Sequence, residues 1–305
     1  MTGAGVRGAG AAGPLGLDHI GLVVADIDRA AAAFEALGFA LTPLSMHSGA
    51  LAPGGPVVAL GTGNRCAMLG SGYIELISPI DRARPCGAYP GFLERYEGIH
   101  VLAFGTAEPE ALAEALRRRG VPLDGLYPLQ RRLEAPDGPA EARFTILRLA
   151  SNHMPEGRVI AVRHETPELL WQPGTTRQPN GARALSFVAV TVADLAADSA
   201  RYRDILGVEP EVDADSAVFA LSQGRLLLVT DPHARQAYDA SPPVLPHVTA
   251  FGVAVEDPDA IAARCRAAGL PHRRAGAGVI VPPGVACGAA CVFEPVEWSG
   301  AEGAP

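Results

Sequence analysis

The sequence predicts an α+β protein of two tandem domains, each a pair of βαβββ modules forming curved, cup-shaped mixed sheets. Three observations predict it. A strand-then-helix opening occurs four times, in LDHIGLVV (17–24), GIHVLAF (98–104), LSFVAVTV (185–192) and LPHVTAF (245–251). Each following helix stops at a glycine, at Gly38, Gly120, Gly207 and Gly269, where a left-handed residue ends a helix without a Cβ penalty. The chain also carries 35 glycines and 27 prolines, which suit many turns between short strands. A repeat of roughly fifty to eighty residues, present four times, is too long and too few for a solenoid.

In unit one, His19 lies in a β-branched apolar run, Asp26 or Asp28 caps a helix over residues 29–37, and Gly38 closes it. Residues 39–44 read as a strand and 48–56 as a loop. Two short strands follow at 64–69 and 73–78 around the turn Gly70-Ser71-Gly72. Unit two starts at His100, with a helix over 108–119, an insert at 128–142, and strands at 144–150 and 159–162. Residues rich in Pro, Gly, Thr and Gln then mark a linker. Unit three places Phe187 where units one and two have histidine, then a helix over 195–206 and a hairpin of 218–221 against 226–229. Unit four holds His247, a helix over 258–268, and strands near 279–281 and 290–293. The resulting division is a tail at 1–14, a first domain at 15–170 with the candidate metal site, a linker at 171–183, a degenerate second domain at 184–298, and a tail at 299–305.

Composition narrows the function. The net charge of −8 argues against nonspecific binding to nucleic acid, whose phosphates repel an acidic surface. No charge-free apolar run is long enough to cross a bilayer. Five cysteines without a CxxC pair suit a reduced, cytoplasmic protein better than a disulfide framework. The Gly/Ala-rich first residues lack the apolar stretch of a signal peptide and read as a disordered tail. The expected partner is a small-molecule substrate, with a homodimer as the expected assembly.

Histidines at one recurring strand position suggest a metal site. Glu75 sits inside the apolar strand Tyr73-Ile74-Glu75-Leu76-Ile77, where an ionised carboxylate costs several kcal/mol unless paired or bound to a cation. If units one and two pack about a pseudo-twofold axis, His19, His100 and Glu75 converge. Two imidazoles and a carboxylate leave open coordination positions and suit Fe, Mn, Zn, Co or Ni as the divalent ion. The competing reading for each is a hydrogen-bonded core residue. Asn64 and Arg65 follow a Gly-Thr-Gly turn and suit a substrate carboxylate or carbonyl, the alternative being a turn amide and a surface cation. His47 is a candidate acid/base group. Trp171 and Trp298 read as core or lid aromatics, Trp171 also as a substrate contact.

Residues 17–39 (LDHIGLVVADIDRAAAAFEALGF) resemble the opening of vicinal oxygen chelate proteins, the superfamily of glyoxalase I, methylmalonyl-CoA epimerase and extradiol dioxygenases. Thr42-Pro43, His47, GTGNR (61–65), YIEL (73–76) and HETPELLW (164–171) resemble more narrowly the bacterial glyoxalase-like domain family. The resemblance implies metal ligands on the first and last strands of each module, hence His19, Glu75, His100 and, for want of a carboxylate in the last strand of unit two, His164. Glyoxalase I ends that set with a glutamate, so His164 departs from its pattern. The resemblance implies a metal-dependent lyase, isomerase or extradiol-type dioxygenase that chelates two neighbouring substrate oxygens, with Glu75, His164 or His47 moving protons. Phe187, Leu227, His247 and Glu294 hold the equivalent positions of the second domain; two are apolar, and His247 with Glu294 would pair across its cup. The alternative is a non-catalytic protein of the same fold that sequesters a small molecule.

Overall fold

Three of the four repeated helices begin at an aspartate whose side chain accepts from backbone N–H groups of the first turn: Asp26 from Asp28 and Arg29, Asp194 from Ala197, Asp257 from Asp259 and Ala260. The fourth starts at Glu108, with Pro109 supplying a preset first turn. These caps fix where each first strand must end.

The structure, a computed structural model, describes residues 13–135, 138–172 and 174–296. Apart from Gly13 and Pro14, the expected tails lie outside the described residues, as does Trp298. The order is β1 (Gly16–Val23), α1 (Ile27–Ala36), β2 (Ser45–Ala50), β3 (Val57–Met68), β4 (Tyr73–Pro79), α2 (Tyr89–Arg95), β5 (Gly98–Gly105), α3 (Pro109–Arg118), β6 (Leu123–Ala135), β7 (Gly138–Leu149), β8 (Arg158–His164) and α4 (Pro167–Leu170). The second half follows as β9 (Ala182–Thr191), α5 (Leu195–Leu206), β10 (Glu211–Val212), β11 (Ser216–Ala220), β12 (Arg225–Val229), α6 (Asp231–Tyr238), β13 (His247–Val255), α7 (Pro258–Ala267), β14 (Arg273–Ala275), β15 (Gly278–Val281) and β16 (Ala290–Pro295).

Each module pairs its first and last strands in parallel: β1 with β4, β5 with β8, β9 with β12, β13 with β16. Modules then join antiparallel through their first strands, β1 to β5 and β9 to β13. In the first half the sheet closes on itself in the order β1-β4-β3-β2-β6-β7-β8-β5-β1. The closing seam is β2 against β6, with His47 opposite Arg131. The described residues of the segment expected as an insert, 128–135 and 138–142, are therefore not irregular. They belong to the β6–β7 hairpin, whose polar run Gln130-Arg131-Arg132 hides the strand alternation because one of its faces looks into a polar lumen. Residues 39–44, expected as a strand, are irregular around Pro43, and the strand falls instead at Ser45–Ala50.

The second half stays open among the described residues: β10 has two residues and β14 three, and the two edges do not meet. Its cup is filled from within by α6, an element the sequence reading missed, whose Ala234 and Tyr238 pack with Phe187, Ala189 and Ala250. On the helix side the halves share one apolar core rather than two, with Phe34 against Phe251 and Phe39 against Phe293. A fully buried carboxylate adds to this junction: Glu156 accepts from the Tyr202 hydroxyl and from Arg201 at 3.0 Å, which ties the β7–β8 turn to α5.

Gly288 packs tightly against the first half. Its φ is +95°, and a Cβ there would lie 2.0 Å from the carbonyl oxygen of Glu97, just before β5. Gly288→Ala should therefore cost about 1–3 kcal/mol from the backbone conformation alone, plus the overlap, read as a lower midpoint in chemical denaturation.

Candidate functional site

Strand alternation lines the closed barrel with one residue in two. Toward the lumen β1 sends His19, β2 His47, β3 Leu60, Thr62 and Asn64, β4 Tyr73 and Glu75, β6 Leu129 and Arg131. From β5 comes Val101, from β7 Phe144, Ile146 and Arg148, and from β8 Arg158, Ile160 and Val162. They line a cavity of about 80 Å³, enough for roughly three ordered waters or a compact small molecule. His47 and Arg131 also line a larger groove that runs past Thr42–Ser45 toward Thr175.

The histidines, Asn64, Glu75 and Arg131 gather on the arc from β1 to β6, with Arg148 and Arg158 on the opposite arc. His19 Nε2 lies 3.8 Å from one oxygen of Glu75 and His47 Nε2 lies 3.6 Å from the other. The Asn64 amide donates to Glu75 while its carbonyl accepts from Arg131 at 3.2 Å. Burial pushes the Glu75 carboxyl up, but His47, His19 and Asn64 outweigh it and bring it down to about 2. Each imidazole is anchored through its other nitrogen, His19 Nδ1 to Asp18 at 2.6 Å and His47 Nδ1 to Thr62 Oγ1 at 3.0 Å. With Nδ1–H donated to the Asp18 carboxylate, the His19 Nε2 lone pair faces the lumen.

A local irregularity in β1 sets up the Asp18–His19 contact. Leu17 pairs with Phe104 and His19 with Ala103, leaving Asp18 as the extra residue of a β-bulge, which re-aims the side chains beside it. Asp18 also accepts from His164 Nε2 at 2.9 Å. Burial raises its carboxyl, yet the two histidines hold it well below the usual range. His164, expected as a fourth ligand, is thus turned behind His19, with its ring against Trp171 at 4.9 Å and Phe144 at 5.3 Å.

The four residues expected to bind one metal do not assemble. His100 is fully buried on the other face of β5; its Nε2 bonds the Tyr96 carbonyl at 2.9 Å and its ring stacks on Tyr96 and Phe92. The helix caps show why. His19 precedes its cap Asp26 by seven residues, and the residue seven before Glu108 is Val101, not His100. By the same count Phe187 precedes Asp194 and Ala250, not His247, precedes Asp257. A one-residue offset in a strand reverses the face, so matching by residue type misplaced the second histidine. The strand pairings agree: His19 pairs with Tyr73, Val101 with Arg158, Phe187 with Arg225 and Ala250 with Ala290. Two residues further along each last strand, Glu75 corresponds to Ile160, Leu227 and Val292, not Glu294. Glu294 pairs instead with Arg225 at 2.8 Å, and His247 packs against Tyr96, so they do not meet across the second cup.

Two expected substrate contacts also lie elsewhere. Arg65, next to Asn64 in β3, takes the outer face and pairs with Asp28 at 3.2 Å. Trp171 donates its indole N–H to the Leu69 carbonyl and lies against Tyr73 outside the lumen lining. Asp18, Thr62 and Arg131 carry no sequence signal of a place in this site; Arg131 lies in a polar run that predicts an insert rather than a strand.

Among the described residues no three His, Cys, Asp or Glu side chains are drawn together as a finished metal site. Donors about 2.1 Å from one ion stand roughly 3.0–3.4 Å from each other, slightly closer than the 3.6 and 3.8 Å between these imidazoles and Glu75. The donor chemistry nevertheless fits a divalent ion: two imidazoles with fixed inner nitrogens, and one ionised carboxylate.

A family model described as Glyoxalase-like domain matches residues 17–206, and one described as Glyoxalase/Bleomycin resistance protein/Dioxygenase superfamily matches residues 179–284. No curated protein matches the chain. Among solved structures, a hypothetical protein from Staphylococcus aureus is 14% identical, with a TM-score of 0.61, over 92% of this chain and 99% of that one. A xylose isomerase-like TIM barrel/4-hydroxyphenylpyruvate dioxygenase fusion protein is 14% identical, with a TM-score of 0.55, over 96% of this chain and 51% of that one. At that identity the likeness is one of fold, and it extends over both halves. With a closed barrel of paired βαβββ modules and a family model that spans residues 17–206, the chain belongs to the glyoxalase-like domain family.

Proposed function

We propose that the N-terminal barrel is a divalent-metal-dependent enzyme acting on a small oxygenated substrate, with His19, His47 and Glu75 as the metal ligands. The observation that carries this is the convergence of two anchored imidazoles on one buried, ionised carboxylate at the wall of the barrel's cavity. A bound ion would act there as a Lewis acid, taking two neighbouring substrate oxygens and stabilising the enolate-like or catecholate-like anion that forms.

The chain's own residues have distinct tasks. Asp18 and Thr62 fix the two imidazole orientations, and Asn64 holds the carboxylate. A carboxyl held down at about 2 is a weak proton acceptor and a good ligand, so Glu75 is assigned to ligation rather than to general base catalysis. His164 acts only through Asp18. Leu129, Phe144, Ile146 and Val162 supply apolar wall between the polar groups and limit water around the reacting atoms.

The test is equilibrium dialysis of chelator-treated protein against Fe(II), Mn(II), Zn(II), Co(II) or Ni(II), with His47→Ala alongside wild type. One ion bound per chain, weakened at least about 100-fold in the variant, is the expected result. Absence of uptake by wild type would leave the sequestering protein as the reading of this fold.

A further inference from the structure

The remaining arc of the lumen, from β7 to β8, carries two arginines that the metal reading does not use. Arg148 and Arg158 both line the cavity, on strands adjacent in the barrel. Among the described residues neither has a carboxylate within ion-pair distance. Arg148 Nε is buried without a hydrogen-bond partner. Burial, and then the neighbouring charge of Arg158, push the Arg148 guanidinium below its ordinary value, the mark of a cation placed where the protein alone does not favour one.

Both guanidiniums lie over aromatic rings, Arg148 on Tyr127 at 3.8 Å and Arg158 on Tyr89 at 4.9 Å. Contact with a ring face leaves the Arg148 edge, whose Nε has no partner, for a planar oxyanion, while Arg158 also hydrogen-bonds the Tyr89 side chain and offers its remaining donors. Two half-buried like charges without a protein counter-ion destabilise the empty fold unless a ligand supplies negative charge.

We propose that Arg148 and Arg158 form an anion subsite, which takes a carboxylate or phosphate group of the substrate while the His19–His47–Glu75 arc faces its oxygenated reacting end. The substrate class is then a small organic anion compact enough for a cavity of about 80 Å³. Which end reacts rests on the metal reading; the binding of an anion between the two arginines does not.

The experiment titrates chelator-treated protein at low ionic strength with propionate, propionamide and inorganic phosphate, following affinity by calorimetry and melting temperature by fluorimetry. Wild type should bind propionate or phosphate and gain melting temperature, while propionamide, equal in shape and uncharged, does neither. The stronger of the two anions tells carboxylate from phosphate. Arg148→Met and Arg158→Met should each weaken anion binding at least tenfold, with an unliganded melting temperature equal to or above wild type. Arg158→Lys, which keeps the charge and loses the fork, should retain part of the binding and guards against a variant that fails to fold. Equal response to propionate and propionamide, no response to either anion, or binding that survives both Met substitutions would overturn the subsite. Metal uptake is read separately by dialysis, so failure of one reading leaves the other standing.

Discussion

Glu75→Gln is expected to abolish tight divalent-metal binding while leaving the barrel closed. The amide has nearly the volume of the carboxylate, and its carbonyl can still accept from the Asn64 amide. What is lost is the negative charge between His19 and His47 and the donor strength that a divalent transition ion requires. Removing a partner that merely orients a ligand costs about 10–100-fold in metal affinity, so removing a ligand should exceed 100-fold. Asp18→Asn, which acts one step behind His19, should fall inside that 10–100-fold range. His100→Asn should leave metal affinity unchanged, because His100 lies on the far face of β5 against Tyr96 and Phe92. Equilibrium dialysis of the three variants, with circular dichroism as the check on folding, separates these outcomes. Metal loss in His100→Asn with retention in Glu75→Gln would reverse the assignment.

That contrast shows what was legible in the sequence. The four helices, their closing glycines and the choice of Asp26 or Asp28 as the first cap are readable because such signals act locally, within one turn of chain. The strands of Glu75 and Phe187 were readable because apolar runs mark strands buried on both faces. The face on which a residue lands was not readable from residue type, since it depends on parity. His100 looked equivalent to His19 until the distance to the helix cap put Val101 there instead. The closing hairpin was hidden for a related reason. Arg131 faces a lumen whose polarity comes from Glu75 and Asn64, residues remote in sequence, so its strand shows no apolar alternation. Asp18 occupies a bulge, and nothing in the dipeptide Asp18-His19 announces one.

The second large effect concerns acid stability, and it arises from the histidines excluded from the site. His100 and His247 are both buried where β5 meets β13, on either side of the Tyr96 ring. The Nδ1 atom of each lacks a hydrogen-bond partner. Burial pushes both down to about 4, helped at His247 by His100 and at both by the positive charge of Arg95, against the Tyr96 carbonyl that favours protonation of His100 and the Gly288 backbone that favours it for His247. The folded state therefore prefers both rings neutral, and the unfolded chain binds more protons between pH 6.5 and about 4. Their contribution to stability is fully present above pH 6.5 and is lost as pH falls toward 4, by a few kcal/mol for the pair. The contribution of Glu75 is lost lower, from 4.5 down to about 2, so the two windows separate. Denaturant midpoints measured from pH 8 to 4.5 should fall steadily below pH 6.5 in wild type. His247→Leu, which fills an apolar site beside Tyr96 with an uncharged side chain, should flatten that limb by about half. An unchanged slope in the variant, or a flat wild-type profile down to pH 4.5, would mean that the strand junction takes up protons without opening.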